Sequence, residues 1–357
     1  VSKLRLVVIG AGHLGRIHAR LAQTIDGVRV VGVCDPIDAA RAAVAEQLAC
    51  PTFADLGQIP GEFDAAIVAS PTVTHATVVA ELLSRGKHVL CEKPLTIDHQ
   101  AAHQLAETAR RRQLVLQVGH IERFNPAWQA GQNTLAGARY IEAVRASSFP
   151  GRCLDVGVVL DLMIHDIDLV LSLAGELPAR IDATGMAVIS NHEDLAEARL
   201  TFASGLVACL KASRISPAPR RRWQAYGPAG YTELDFSAPA ALTIEPHASI
   251  RDGSFDLSEH GSPTAFQKQL FEQFLVSDPK PLEPRNAILD ELHDFVISIR
   301  SGSSPIVDGQ AGAAAVDCAQ QILAAIHAHP WNRQGTLRGP HARPASAAQR
   351  PAIRPAA

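Results

Sequence analysis

An α/β fold with two differently built parts is what this sequence predicts, and three features predict it. Short β-branched apolar runs alternate with helical spacing over roughly the first 120 residues, a glycine-rich turn follows the first run, and strand-like runs then crowd together with few helices between them. Continuously apolar strands separated by helices imply a doubly wound parallel sheet covered on both faces. Clustered runs joined by short turns imply an α+β part with a mostly antiparallel open sheet.

Residues 4–9 are the first apolar run, 16–24 carry helical spacing and 28–34 form a second run, so the opening reads β-α-β. The alternation continues with a strand at 65–69, a helix at 73–84, a strand at 88–91, a helix at 99–111 and a strand at 114–118. Beyond them an amphipathic helix is expected at 157–174, followed by strands at 181–189, 196–202, 206–212, 223–226 and 231–236, with Ala203-Ser204-Gly205 as a hairpin connection. Helical spacing returns at 266–276, 288–300 and 311–327. Residues 330–357 are rich in Pro and Ala, hold five arginines and no acid, and lack periodicity, which predicts a disordered tail.

Composition narrows the function. The 357 residues include 33 Lys plus Arg against 36 Asp plus Glu, a net charge of −3, so no global attraction to nucleic acid or an anionic membrane is expected. No stretch of about 18 residues is free of charge, too little to cross a bilayer. The six cysteines (Cys34, Cys50, Cys91, Cys153, Cys209, Cys318) include no Cys-x-x-Cys pair, which disfavours a zinc site or disulfide framework and suits a reducing compartment. Val1-Ser2-Lys3-Leu4-Arg5 runs directly into the first strand with no room for a signal peptide, and the expected location is cytoplasmic.

Gly10-Ala11-Gly12-His13-Leu14-Gly15 sits between the first strand and the first helix. There Gly10 permits the tight turn, Gly12 lets the backbone approach a pyrophosphate and Gly15 lets helix and strand pack closely. Asp35 ends the second strand, where a carboxylate accepts from ribose hydroxyls and repels a ribose phosphate; the nearest following base is Arg41. NAD is therefore the expected cofactor, ahead of NADP.

Cys91-Glu92-Lys93-Pro94-Leu95 follows a strand of the same sheet, at the edge where the cofactor lies. Lys93 fits two readings by spacing alone: a donor to a substrate oxygen, or a surface lysine before a turn proline. On the 157–174 helix, Asp161, His165, Asp168 and Ser172 share one stripe opposite Leu160, Met163, Ile164, Ile167, Val170 and Leu171. A histidine between two carboxylates is expected to gain basicity and suits proton abstraction. A solvated polar face is the other reading, and no partner motif for a metal accompanies it.

Taken together, the 10–15 loop, Ser70-Pro71-Thr72 with His75, Gly86-Lys87-His88-Val89 leading to Glu92-Lys93-Pro94, and Asp161-x-x-x-His165 resemble the glucose-fructose oxidoreductase, inositol dehydrogenase and rhizopine catabolism family of NAD(P)-dependent oxidoreductases, over residues 3–328. The resemblance implies a Rossmann domain at 1–122 and a substrate and oligomerisation domain at 123–329, whose C-terminal helices can pack back on the first. It implies Lys93 as active-site lysine, His165 as acid/base and Asp161 as a substrate-hydroxyl ligand, with Gly10, Gly12, His13, Leu14, Gly15, Asp35, Ser70, Pro71, Thr72, His75, Glu92, Lys93 and Pro94 around the cofactor. It also implies a homodimer or homotetramer through the open sheet face. Residues 118–126 and 161–169 resemble the members that oxidise the 3-hydroxyl of UDP-N-acetylglucosamine, whose product a pyridoxal-phosphate aminotransferase converts to a 3-amino sugar for lipid A-type molecules. Arg123 and Asn125 then contact the sugar nucleotide, or else serve in packing and capping. Arg220-Arg221-Arg222 meets a diphosphate or forms a solvated edge. The alternatives are a dehydrogenase of a free polyol such as an inositol, or of UDP-N-acetylglucosaminuronate, and a non-catalytic regulator that binds NAD and a sugar.

Overall fold

The computed structural model describes residues 3–149, 155–256, 258, 266–267, 269–280 and 282–330. The expected tail, apart from residue 330, lies outside them. β1 (Leu4–Ile9), β2 (Val28–Cys34), β3 (Thr52–Phe53), β4 (Ala65–Val68), β5 (His88–Glu92) and β6 (Leu116–Gly119) form a parallel sheet in the order β3-β2-β1-β4-β5-β6. Alternation along β1 sends Val7 and Ile9 into one core and Leu6 and Val8 into the other, so both faces need cover. That cover is α1 (His13–Ala22), α2 (Asp38–Leu48), α3 (Thr72–Ser84) and α4 (His99–Arg111), the last capped by Asp98, whose side chain accepts from Ala101 N–H at 2.8 Å.

The second sheet runs β14-β13-β12-β11-β7-β10-β9-β8. Its strands are β7 (Tyr140–Ala146), β8 (Arg180–Met186), β9 (Leu195–Thr201), β10 (Val207–Ser213), β11 (Arg220–Gly227), β12 (Gly230–Asp235), β13 (Ala240–Pro246) and β14 (Leu275–Lys280). Only the β7–β10 pairing is parallel, and Gly205, at φ 88°, turns the β9–β10 hairpin. Ile141, Ala143, Leu210, Trp223 and Leu234 line the buried face under α5 (Pro126–Leu135) and α6 (Ile164–Ala174).

Two expectations need correction. The helix expected at 266–276 ends early: residues 266, 267 and 269 are helical, Leu270–Phe274 follow as a π turn, and the chain from Leu275 is edge strand β14, paired with β13. Phe271 and Val276 are exposed, whereas Phe266 and Phe274 pack on Phe255 with ring centroids 5.8 and 5.0 Å away. The helix expected at 157–174 begins instead with a π-helical stretch, Val159–Met163, before α6. The wider turn takes Asp161 out of the simple 100° register that placed it on one stripe with Asp168 and Ser172.

The chain then returns to the parallel sheet. Phe295 and Val296 of α7 (Ala287–Ser301) join the core on the α1 side, and α8 (Gly309–Ala328) lies on the other face. A Cβ on Gly312 would come within 2.4 Å of Val118 and one on Gly309 within 2.8 Å of Leu116, so this helix touches β6 almost backbone to strand. Val118 N–H also bonds Val307 O at 3.0 Å. The far end of α8 packs on α6 and β8 of the second sheet.

Candidate active site

The order of the parallel sheet reverses between β1 and β4, the switch point at which open α/β sheets receive ligands. A Cβ on Gly15 would lie 1.9 Å from Gly10 O, and one on Gly10, at φ 100°, would lie 2.5 Å from Ala69 O. Gly12 instead faces open space above the α1 N-terminus, where no side chain caps the helix. That is a cradle with free N–H groups, the shape and polarity a pyrophosphate needs. His13 and Leu14 stand exposed on the same turn. We expect Gly12→Ala to keep the melting temperature of the free protein but lose most of the shift produced by NAD, and Gly15→Ala to lower the melting temperature itself; thermal melts with and without NAD check both.

Asp35 is fixed beside this turn by Ala11 N–H on Oδ2 (2.7 Å) and Ile37 N–H on Oδ1 (2.8 Å). Arg41 is held by Asp35 O (2.7 Å) and Asp38, so it is not set out for a ribose phosphate. Ser70 and Pro71 open α3, with Ser70 Oγ on Thr74 Oγ1 at 2.7 Å; Thr72 begins the helix. His75, expected among the cofactor contacts, is buried and places Nδ1 on Pro94 O and Nε2 on Ser70 O, each at 2.8 Å. It braces the Ser70 loop against the Lys93-Pro94 loop and has no ring nitrogen left for a ligand.

Lys93 Nζ donates to Asp161 O at 2.7 Å and to Asp161 Oδ1 at 3.0 Å, joining residues 68 apart in the chain. His165 lies four residues beyond Asp161; its Nδ1 is buried without a partner. His120, at the end of β6, presents its ring edge-on with centroids 6.4 Å apart and is itself buried with both ring nitrogens unbonded. The expected gain in basicity is reversed. Burial first, and then the charges of Lys93 and Arg145, hold His165 well below the ordinary histidine range. Asp168, expected to flank it, is taken by Arg123, whose Nε donates to Asp168 Oδ2 at 2.6 Å.

Arg123 is thereby committed, and Asn125 caps α5 by accepting from Ala127 N–H at 3.0 Å while its Nδ2 donates to Glu122. The geometry gives both the packing and capping roles. Below them Arg145 is enclosed, donating to Asp166 at 2.9 and 2.8 Å and to Glu122 at 2.7 Å, with Trp223 Nε1 also on Asp166. No sequence signal marked this cluster or His120, because their partners come from separate elements. Among the described residues one set of ligand-type atoms is close: His18, Glu92 and Glu291 offer atoms within 4.8 Å of one another. His18 Nε2 meets Glu92 Oε1 at 2.7 Å; burial, followed by the Glu92 and Asp294 charges, pushes Glu291 well above the usual carboxylate range. Glu291 is thereby held as the neutral acid beside the hydrogen-bonded His18 and Glu92.

Residues 4–120 match the model of an oxidoreductase family with an NAD-binding Rossmann fold, and 139–233 match the GFO/IDH/MocA C-terminal domain. The chain belongs to the Gfo/Idh/MocA oxidoreductases. It is 34% identical, over 91% of its length and 98% of the relative, to UDP-N-acetylglucosamine 3-dehydrogenase of Acidithiobacillus ferrooxidans. The solved structure of that protein superposes with a TM-score of 0.80 at 33% identity, covering 92% of this chain and 99% of the other. Inositol 2-dehydrogenase of Rhizobium meliloti is 24% identical over 90% of this chain and 97% of the relative. This Gfo/Idh/MocA chain is thus an oxidoreductase acting on a CH–OH group with NAD as cofactor, which the Gly10–Gly15 cradle and Asp35 fit. Among the described residues no helix is long and apolar enough to cross a membrane.

Proposed function

We propose that the protein oxidises the 3-hydroxyl of UDP-N-acetylglucosamine to the 3-keto sugar nucleotide. The observation that carries a carbinol oxidation is the meeting of Lys93, Asp161 and His165 at the carboxyl edge of β5. An ammonium has three donors, and two point at Asp161, which leaves one for a substrate oxygen. Asp161 holds the ammonium in place and accepts from a sugar hydroxyl. His165, kept neutral, accepts the hydroxyl proton, while Lys93 stabilises the charge growing on the oxygen. NAD, when bound, takes the hydride from the carbinol carbon. The uridine diphosphate serves as a remote handle that positions the sugar.

The substrate is supported by the similarity to the Acidithiobacillus ferrooxidans enzyme over nearly the whole chain. The same reading places the protein in the cytoplasm, upstream of a pyridoxal-phosphate aminotransferase making a 3-amino sugar for lipid A-type molecules. It also includes self-association, as a dimer or tetramer, through the uncovered sheet face where Tyr140, Tyr226 and Tyr231 cluster, with ring centroids 6.0 and 5.0 Å apart. The test is mass-spectrometric detection of product with NAD, UDP-N-acetylglucosamine and an aminotransferase with its amine donor as trap. A 3-amino product that needs this protein supports the proposal. Turnover of an inositol or of UDP-N-acetylglucosaminuronate, with the trap active and silent, would replace the substrate, and binding without any product would make the protein a regulator.

A further inference from the structure

The Arg220-Arg221-Arg222 run is the first part of β11, and the strand divides it. Side chains alternate, so Arg220 and Arg222 share the outer face with Gln224 and Tyr226, and Arg222 pairs there with Glu233. Arg221 shares the opposite face with Trp223 and Ala225, the face that carries Asp166 and the catalytic helix. In register it stands across from Arg145 of β7, and its carbonyl accepts from Phe236 N–H at 2.8 Å.

The other arginines set around the site are committed: Arg123 to Asp168, Arg145 to Glu122 and Asp166, Arg214 to Asp194. Arg221 is exposed and has no carboxylate partner among the described residues. Its charge nevertheless reaches His165, in a site that already holds Lys93. Lys93 has Asp161 as its counter-charge and Arg221 has none, so Arg221 is the cation left to bind an anion, and a planar guanidinium fork matches phosphate oxygens two at a time.

We propose that Arg221 is the residue that receives the diphosphate of the nucleotide-sugar substrate. The inference rests on the nucleotide-sugar reading above and assigns one residue to its anionic handle. Arg220 and Arg222, on the outer face, have no part in it.

The probe is UDP, measured by calorimetry and as an inhibitor of turnover, on wild type, Arg221→Gln, Arg221→Lys and Arg220→Gln. Loss of one charge-assisted fork is expected to weaken UDP about 10- to 100-fold in Arg221→Gln and less in Arg221→Lys. KM for the nucleotide sugar should rise with it, while kcat at saturation and NAD affinity stay near wild type and Arg220→Gln behaves as wild type. Equal UDP affinity in wild type and Arg221→Gln overturns the assignment alone. A wild type indifferent to UDP overturns the nucleotide-sugar reading and the assignment together.

Discussion

Lys93→Met is expected to lower kcat by about 10²- to 10³-fold, the usual effect of removing one donor aimed at a developing oxyanion, with little change in NAD affinity. The side chain is nearly isosteric, so Asp161 loses a partner but the β5 edge keeps its shape. Steady-state kinetics and NAD calorimetry separate the two quantities; a fall in NAD affinity equal to the fall in turnover would make Lys93 a cofactor contact instead. The pH profile adds a sign. His165 is held below the ordinary range of about 6.5 first by burial and next by Lys93, so in wild type the acid limb of kcat/KM lies below that value. Removing the ammonium takes away the largest opposing charge, and the acid limb of the residual activity should move upward. Simple damage to the fold would not move it in that direction. The same depression acts on stability: the unfolded imidazole takes up a proton as the pH falls through about 6.5 and the folded one resists, so this group weakens the fold from there down to its depressed folded value.

Arg145→Met is expected to cost about 3–5 kcal/mol, because it strands two buried carboxylates rather than removing a surface pair. Arg145, Asp166 and Glu122 are 3%, 2% and 4% exposed, and three hydrogen bonds from one guanidinium join them. Burial works against the Arg145 charge, yet Asp166 and Glu122 together raise its proton affinity above the ordinary arginine value. In the variant those carboxylates lack a counter-charge and regain neutrality only by binding protons. Urea unfolding should therefore show a deficit that is largest near neutral pH and shrinks in acid. Adding Asp166→Asn, which keeps an acceptor for Trp223, should recover part of it, so the double variant is less unstable than the sum of the singles. A single variant as stable as wild type would mean the cluster is hydrated and weakly coupled.

Much of the fold is legible in the sequence where apolar runs are unbroken. β1, β2, β4, β5 and β6 lie within about two residues of expectation, because strands buried on both faces have nothing polar to interrupt them. β7 is not legible: Glu142 and Arg145 break its run, and only the partners Asp166 and Glu122 explain a buried arginine there. The start of β11 hides behind three arginines for the same reason. At the site, the glycine turn and Asp35 follow from spacing, since their geometry is local. The joining of Lys93 to Asp161 does not, and its meaning came from family resemblance. The error over His165 has a particular cause. A helical stripe counts only charges on its own helix, whereas Lys93 and His120 arrive from just beyond β5 and β6, and Arg145 and Arg221 from β7 and β11.

Helix α8 sets an order on biosynthesis. β6 leaves the ribosome long before the glycines of α8 that press on it, so the β6 edge of the nascent parallel sheet must wait for that cover through the synthesis of the whole second sheet. Contacts this distant in sequence close late and slowly. During that interval the dinucleotide cradle is already encoded and translated, yet the wall that carries Asp161 and His165 is not clamped to it. α8, packed on both α6 and β6, joins those two parts only once it has been made.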